Sequence, residues 1–415
     1  MAKGRVCLAY SGGLDTSCIL RWLIEEGYEV VAFLANVGQD EPWDEVEKKA
    51  IKLGAKKMII EDLQKEFVDE LCFRAVQCNA QYEGRYLLGT SLARPVIARA
   101  QMRAAEREKC DFVSHGCTGK GNDQVRFELA FYTIRPDIRV IAPWRDPKFF
   151  ERFAGREALL DYAAQQGIPV TSTKAKPWSM DANLAHCSYE AGILEDPAIT
   201  PPEHVWTMTD DPLKAPNEHE DVTISFEKGI PTKIVYPGGE ESESVTLFKK
   251  LNEIGKKHGV GRIDIVENRF IGLKSRGCYD SPAMTILRWA HLDLEGLVLD
   301  AQVRSIRDQF VTHKWSELLY NGMYFSPERE FVENSLLFAQ KRVNGEVRLR
   351  LYKGNVFVLG RSSETEKLYS AEEASMDSLD NFSPVDTTGF IGIQSIRLKK
   401  YGLQKQEEGE NLSRA

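Results

Sequence analysis

Ser11-Gly12-Gly13-Leu14-Asp15-Thr16-Ser17 is the stretch on which the fold turns. It follows Val6-Cys7-Leu8-Ala9-Tyr10, a short apolar run suited to a strand buried on both faces. It precedes Ile19, Leu20, Leu23 and Ile24, which share one helical face. Strand, glycine-bearing turn and helix place it beyond the carboxyl end of a strand, where doubly wound sheets bind ligands. Two glycines let the backbone approach an anion closely. Ser11, Thr16 and Ser17 add hydroxyl donors. The N–H groups that open the helix point the same way, and its dipole favours negative charge. These features describe a phosphate cradle. The plainer alternative is a glycine-rich turn with Asp15 as a helix cap.

The cradle is not the lysine-bearing P-loop, because no lysine follows the glycines, and the dinucleotide pattern G-x-G-x-x-G is missing too. A carboxylate inside an anion site is repulsive unless a cation intervenes. Asp15 therefore predicts Mg²⁺ between itself and the phosphates.

Outward from this loop, the first 170 residues alternate two periodicities. Residues 30–35, 57–60, 112–114 and 140–142 read as strands. Pro42 opens a helix with Val46, Ala50 and Leu53 buried and Gly54 at its end. Pro95 is expected to open another, with Val96, Ala100 and Ala104 inward. The alternation predicts a doubly wound α/β domain with a parallel sheet covered on both faces. Beyond residue 170, prolines 177, 197, 201, 202, 212 and 216 mark a loop-rich stretch. Residues 222–226 with 232–236, and 347–352 with 356–359, read as hairpins. Helical patterns cover 244–257 and 281–320, giving an α+β second domain. Phe390, Ile393, Ile396 and Leu398 belong to a last, partly helical segment. Its polar end reads as a solvated tail or as an arm reaching another subunit. The expected domains are 1–170, 171–370 and 371–415.

Composition narrows the function. The 415 residues carry a formal net charge of -8, and the pI is about 5.6, so no general basic surface for nucleic acid is indicated. The eight cysteines form no C-x-x-C pair, and their scatter suggests a reducing compartment. No apolar run approaches the roughly 18 residues of a membrane span. A cytosolic protein with no membrane partner is expected.

A second chemical segment, His115-Gly116-Cys117-Thr118-Gly119-Lys120-Gly121-Asn122-Asp123-Gln124-Val125-Arg126-Phe127, follows a predicted strand. Three glycines allow close backbone approach, while Thr118, Asn122, Asp123 and Arg126 offer hydroxyl, amide, anion and cation. That mixture suits a zwitterion, whose carboxylate and ammonium both need partners. Glu267 and Arg269 alternate on a predicted strand, a pattern that by itself reads as a solvated face.

The loop from Ser11 to Ser17 resembles the pyrophosphate loop of the N-type ATP pyrophosphatases. Further segments narrow the resemblance: Tyr86-Leu87-Leu88-Gly89-Thr90-Ser91-Leu92-Ala93-Arg94-Pro95, the His115–Phe127 run, Lys176-Pro177-Trp178-Ser179-Met180-Asp181, Ser188-Tyr189-Glu190-Ala191-Gly192, Gly261-Arg262-Ile263-Asp264-Ile265-Val266-Glu267-Asn268-Arg269 and Ser275-Arg276-Gly277-Cys278-Tyr279. Over residues 4–400 they resemble the argininosuccinate synthase family. The resemblance implies a nucleotide-binding domain, a synthetase domain and a C-terminal oligomerisation segment in a homotetramer. It implies that ATP is held by Ala9, Tyr10, Ser11, Gly12, Gly13, Leu14, Asp15, Thr16, Ser17, Ala35 and Gly116. Thr118, Asn122 and Asp123 are implied to bind aspartate. Tyr86, Ser91, Asn122, Arg126, Ser179, Ser188, Glu267 and Tyr279 are implied to bind citrulline. The implied reaction is the ATP-dependent condensation of citrulline with aspartate on the route to arginine. Asp123 is the candidate for orienting, and helping to deprotonate, the aspartate amine. Two alternatives stand beside it. A tRNA-thiolating pyrophosphatase needs a cysteine pair and a basic surface. A non-catalytic nucleotide-binding regulator would use the same scaffold.

Overall fold

Arg5–Ala9 (β1) shows why the first apolar run is unbroken. Val6 and Leu8 enter one hydrophobic core and Cys7 the other, so both faces of the strand are covered. The computed structural model describes residues 3–169, 178–365, 367–377, 383–410 and 412. Residues 1–366 form one compact body and 367–415 a second. The expected boundary at 170/171, with Lys176 and Pro177, lies outside the described residues.

β1 leads through the loop into Leu14–Glu25 (α1), then Glu29–Asn36 (β2), Trp43–Lys52 (α2) and Lys57–Asp62 (β3). Gly89–Arg107 (α3), Phe112–Ser114 (β4), Asp123–Ile134 (α4), Arg139–Ile141 (β5) and Arg156–Gln165 (α5) follow. The five strands are parallel in the order β3-β2-β1-β4-β5. The chain reverses its direction across the sheet between β1 and β4, so their carboxyl ends flank a switch point. This is the doubly wound sheet that the alternation predicts.

Pro95 does not open its helix. It lies inside α3, which starts six residues earlier at Gly89. Proline there removes a backbone hydrogen bond and costs about 3 kcal/mol. Burial of Leu92, Ala93 and Val96 at 0% exposure offsets that cost.

The rest of the first body is antiparallel. Ser179–Ala182 (β6) and Cys187–Glu190 (β7) lie in the stretch read as loop. At four residues each they are too short to show a period. With Arg262–Asn268 (β11) and Lys274–Asp280 (β12) they form a sheet in the order β11-β12-β7-β6. The two predicted hairpins, Glu220–Glu227 (β8) with Ile230–Tyr236 (β9) and Gly345–Tyr352 (β13) with Asn355–Ser362 (β14), join Gly239–Glu241 (β10) in the order β10-β9-β8-β13-β14.

Ser244–Lys257 (α6) matches its predicted span. The 281–320 pattern is interrupted: Pro282–Val298 (α7) ends, and the Asp300 carboxylate accepts from the Gln302 and Val303 N–H groups to start a new helix. That run passes through a π turn at 307–312 into His313–Tyr320 (α8). Pro327–Gln340 (α9) has no counterpart in the sequence reading.

In the second body, Pro384–Glu407 (α10) buries none of its side chains, and Phe390, Ile393, Ile396 and Leu398 are exposed. Among the described residues no helix is long and apolar enough to cross a membrane.

Candidate active site

At the head of α1, Gly13 is the N-cap and no side chain among the described residues caps the helix, so Asp15 is not the cap. The N–H groups of Leu14, Asp15 and Thr16 open the helix, where backbone donors have no partner within the helix. Gly12 sits at φ +75°, which a side chain would resist. Hydroxyls brace the turn. The Ser11 and Thr16 oxygens are 3.1 Å apart, Tyr10 Oη and Ser17 Oγ are 3.2 Å apart, and the Ser11 N–H donates to Thr16 Oγ1 at 3.3 Å. A lysine does attend the loop, though from outside the motif: Lys49 Nζ on α2 donates to the Gly12 carbonyl at 2.7 Å. The half-buried Asp15 carboxyl is pushed up by burial, and its own backbone N–H, then the Arg156 charge, pull it back. Ala9 ends β1, and Ala35 is the last residue but one of the neighbouring β2.

The loop after β4 faces it across the switch point. A Cβ on Gly116 would stand 2.8 Å from Thr16 Cγ2, so only glycine allows this approach. His115 fixes the turn. The Cys117 N–H donates to His115 Nδ1 at 3.3 Å, and Nε2 then donates to Glu128 Oε1 at 2.9 Å. Arg145 holds the same carboxylate.

Gly116 also edges a cavity of about 690 Å³. Tyr86, Thr118, Asn122, Asp123, Arg126, Ser179, Ser188, Glu267 and Tyr279 all line it. Ser91 does not reach its wall. It is buried within α3 with no hydrogen-bond partner for its hydroxyl among the described residues, and Thr90 lines the cavity in its place.

Charge in the cavity is tightly paired. Asp123, first residue of α4, accepts from Arg94 at 2.8 Å and from Arg126 at 2.9 Å. Arg94 also holds Asp181 on β6. Burial would raise the Asp123 pKa, but the Arg94 and Arg126 guanidiniums hold it well below the usual carboxylate range. Such a carboxylate stays ionised and takes no proton near neutral pH. The geometry suits Asp123 for orienting an ammonium group, not for acting as a base.

Glu267 is not on a solvated face. It is 5% exposed, and Oε1 accepts from both Tyr279 Oη and Tyr320 Oη at 3.0 Å. Burial raises its pKa to about 7 against those two bonds, with the Glu190 charge adding to the rise. Arg269, just past β11, pairs with Glu190 at 2.6 Å. Tyr86 stacks on Tyr279 with ring centroids 4.2 Å apart, and His186 backs the pair at 5.7 Å from Tyr279. His186 is fully buried, and desolvation together with Arg94 and Arg126 lowers its pKa to about 3, so its ring is neutral.

Sequence reasoning missed Lys49, Arg94, Asp181, His186 and Tyr320. Arg94 and Asp181 stand inside segments quoted above, yet nothing local marks them as partners. Tyr320 ends a helix that carries no motif.

The arrangement suits a nucleotide at the switch point and small zwitterions beside it, and comparison with known proteins gives the family. The model of the arginosuccinate synthase N-terminal HUP domain matches residues 5–169, and that of the arginosuccinate synthase C-terminal domain matches residues 178–401. A Saccharomyces cerevisiae argininosuccinate synthase is 59% identical over 419 residues, covering 100% of both chains. Its Schizosaccharomyces pombe counterpart is 60% identical over 95% of this chain and 96% of its own. The human argininosuccinate synthase is 56% identical over 96% of this chain and 97% of its own. With matches of this identity along its whole length, the chain belongs to the argininosuccinate synthase family.

Proposed function

We propose that the chain joins citrulline to aspartate with cleavage of ATP to AMP and pyrophosphate, through a citrullyl-AMP intermediate. The observation that carries this reading is the single cavity in which the Thr118–Arg126 wall faces Ser188, Glu267 and Tyr279, with Gly116 linking it to the Ser11–Ser17 loop. The ureido oxygen of citrulline attacks the α phosphorus. Pyrophosphate leaves onto the N–H groups of Leu14, Asp15 and Thr16 that open α1. The aspartate amine, turned by Asp123, then attacks the activated ureido carbon and expels AMP. Positioning and charge neutralisation supply most of the catalysis. Domains divided at 170/171 and 370/371 fit this division of labour.

Magnesium fits the chemistry at Asp15. No cluster of three or more His, Cys, Asp or Glu side chains suited to a metal occurs among the described residues. The ion would be held by Asp15 and the phosphates, as Mg²⁺ commonly is. When bound it would neutralise phosphate charge.

The test is pyrophosphate release from ATP with citrulline and aspartate omitted in turn. Release is expected with citrulline present and none without it, and chelating Mg²⁺ should stop it. Release that ignores citrulline would overturn the reading.

A cytosolic homotetramer completes the proposal, supported by the exposed apolar residues of α10. Light scattering should give about four times the chain mass of 47.0 kDa, and a monomer would refute it.

A further inference from the structure

Two charged groups in the cavity have the signs that an α-amino acid demands. Arg126 offers a cation and Glu267 an anion. They come from distant parts of the chain, α4 and β11, and one residue touches both. Tyr320 Oη donates to Glu267 Oε1 at 3.0 Å. Its carbonyl accepts from Arg126 Nε at 2.9 Å, and its ring lies 5.0 Å from the Arg126 guanidinium. The carbonyl is the last of α8, where the helix dipole favours a cation. The ring cannot swing away, because Tyr82 stacks on it with centroids 3.6 Å apart and planes 4° from parallel. Tyr82 is in turn held by its hydroxyl on the Asn268 carbonyl at 2.7 Å.

The bonding at Glu267 is asymmetric. Oε1 takes both tyrosine hydroxyls, whereas Oε2 is buried with no partner among the described residues. An orphaned carboxylate oxygen is costly unless a ligand donor completes it. Using Oε1 for the tyrosines leaves Oε2 for the ligand.

Resting on the proposed function, we infer that Tyr320 is a positioning residue for citrulline: it clamps Arg126 and Glu267 into one subsite and directs Glu267 Oε2 toward the substrate's α-ammonium. Its hydroxyl also steadies the charged form of Glu267. The groups facing that carboxylate are Tyr279 on β12, Tyr320 on α8, Glu190 on β7, Arg126 on α4, and Tyr82 and Tyr86, stacked on Tyr320 and Tyr279. An ionised Glu267 is needed to accept an ammonium. Citrulline capture is therefore strong above the Glu267 pKa of about 7 and fades as pH falls through it.

Tyr320→Phe keeps the ring, its stack on Tyr82 and its backbone carbonyl, and removes only the hydroxyl. The citrulline KM should rise about tenfold, the cost of one hydrogen bond to a charged group. The KM values for ATP and aspartate, and the Tm, should stay near those of the unaltered enzyme. With one donor lost, the Glu267 pKa rises, so the acid limb of kcat/KM for citrulline should move to higher pH by about half a unit or more. A second arm uses 5-ureidopentanoate, which is citrulline without its α-amino group. The unaltered enzyme should discriminate strongly against it, and Tyr320→Phe should discriminate about tenfold less. An unmoved acid limb with unchanged discrimination overturns the inference, as does an equal rise in all three KM values with a lowered Tm. Failure of the unaltered enzyme to release pyrophosphate with citrulline would instead overturn the proposed function.

Discussion

Asp123→Ala is expected to lower kcat/KM for aspartate by about 10²- to 10³-fold, the scale seen when an essential charged contact to a substrate is lost in a water-poor site. It should also destabilise the protein. Asp123 sits between two guanidiniums that are 12% and 7% exposed, and it is the sole carboxylate bonded to Arg126 among the described residues. Removing it leaves Arg126 with the Tyr320 carbonyl and ring but no carboxylate among the described residues, and leaves Arg94 with Asp181, whose side chain is 42% exposed. Breaking a buried pair costs roughly 3–5 kcal/mol. The Asp123 side chain is 29% exposed, so screening brings the expected loss to about 2 kcal/mol.

The pH dependence has a definite sign. The folded pKa of Asp123 lies below its unfolded value. Its contribution is therefore complete above about pH 4, the unfolded carboxylate pKa, and is lost as pH falls through the folded value. Urea midpoints of the two proteins should differ by a constant amount across neutral pH and converge only in acid. Asp123→Asn separates orientation from base catalysis. An orienting carboxylate leaves the shape of the neutral pH–rate profile intact in the variant, whereas loss of a base removes a limb from it. Unchanged aspartate kinetics in Asp123→Ala would sink both roles.

The Ser11–Ser17 loop, proposed to hold the nucleotide, is legible in the sequence because its physics is local. Seven consecutive residues supply glycine freedom, hydroxyls and a helix start, and a five-residue apolar run supplies the strand that aims them. The cavity proposed for the amino acids is legible only in fragments. The glycines and polar groups of 116–126 announce a binding loop, but Asp123 is bonded to Arg94 on another helix, and that partnership changes what its carboxylate can do. Glu267 misleads for the same reason. Alternation with Arg269 suggests a solvated face, yet Tyr279 and Tyr320 arrive from elsewhere in the chain and cover it. Pro95 fails in the opposite direction, since a strong local signal is outweighed by burial of its neighbours. The C-terminal helix shows its apolar residues plainly in the sequence, and the structure leaves them exposed.

Gly277→Ala is expected to disable citrulline use although Gly277 bears no functional group. Gly277 and Tyr279 project from the same face of β12, two residues apart. Tyr279 lies opposite Ile263, while Glu267 lies opposite Ser275. To reach Glu267, the Tyr279 ring must lean along the strand over the position of residue 277. A Cβ there would fall inside van der Waals contact of Tyr279 Oη, Cζ and Cε2. The ring has little room to retreat, because Tyr86 is stacked on it at 4.2 Å and His186 lies behind at 5.7 Å. The phenol must lift off Glu267 or the strand must shift, and overpacking of this kind costs about 1–3 kcal/mol. The expected result is a loss of about 100-fold in kcat/KM for citrulline, from the broken bond to a charged group plus the displaced wall. The Ser11–Ser17 loop does not touch Gly277, so ATP affinity should hold. Adding Tyr279→Phe removes Oη, the atom nearest the new methyl, and should make the double variant less impaired than the two single losses combined. Strict additivity, or a normal citrulline KM in Gly277→Ala, would show that the leaning phenol does not shape the subsite.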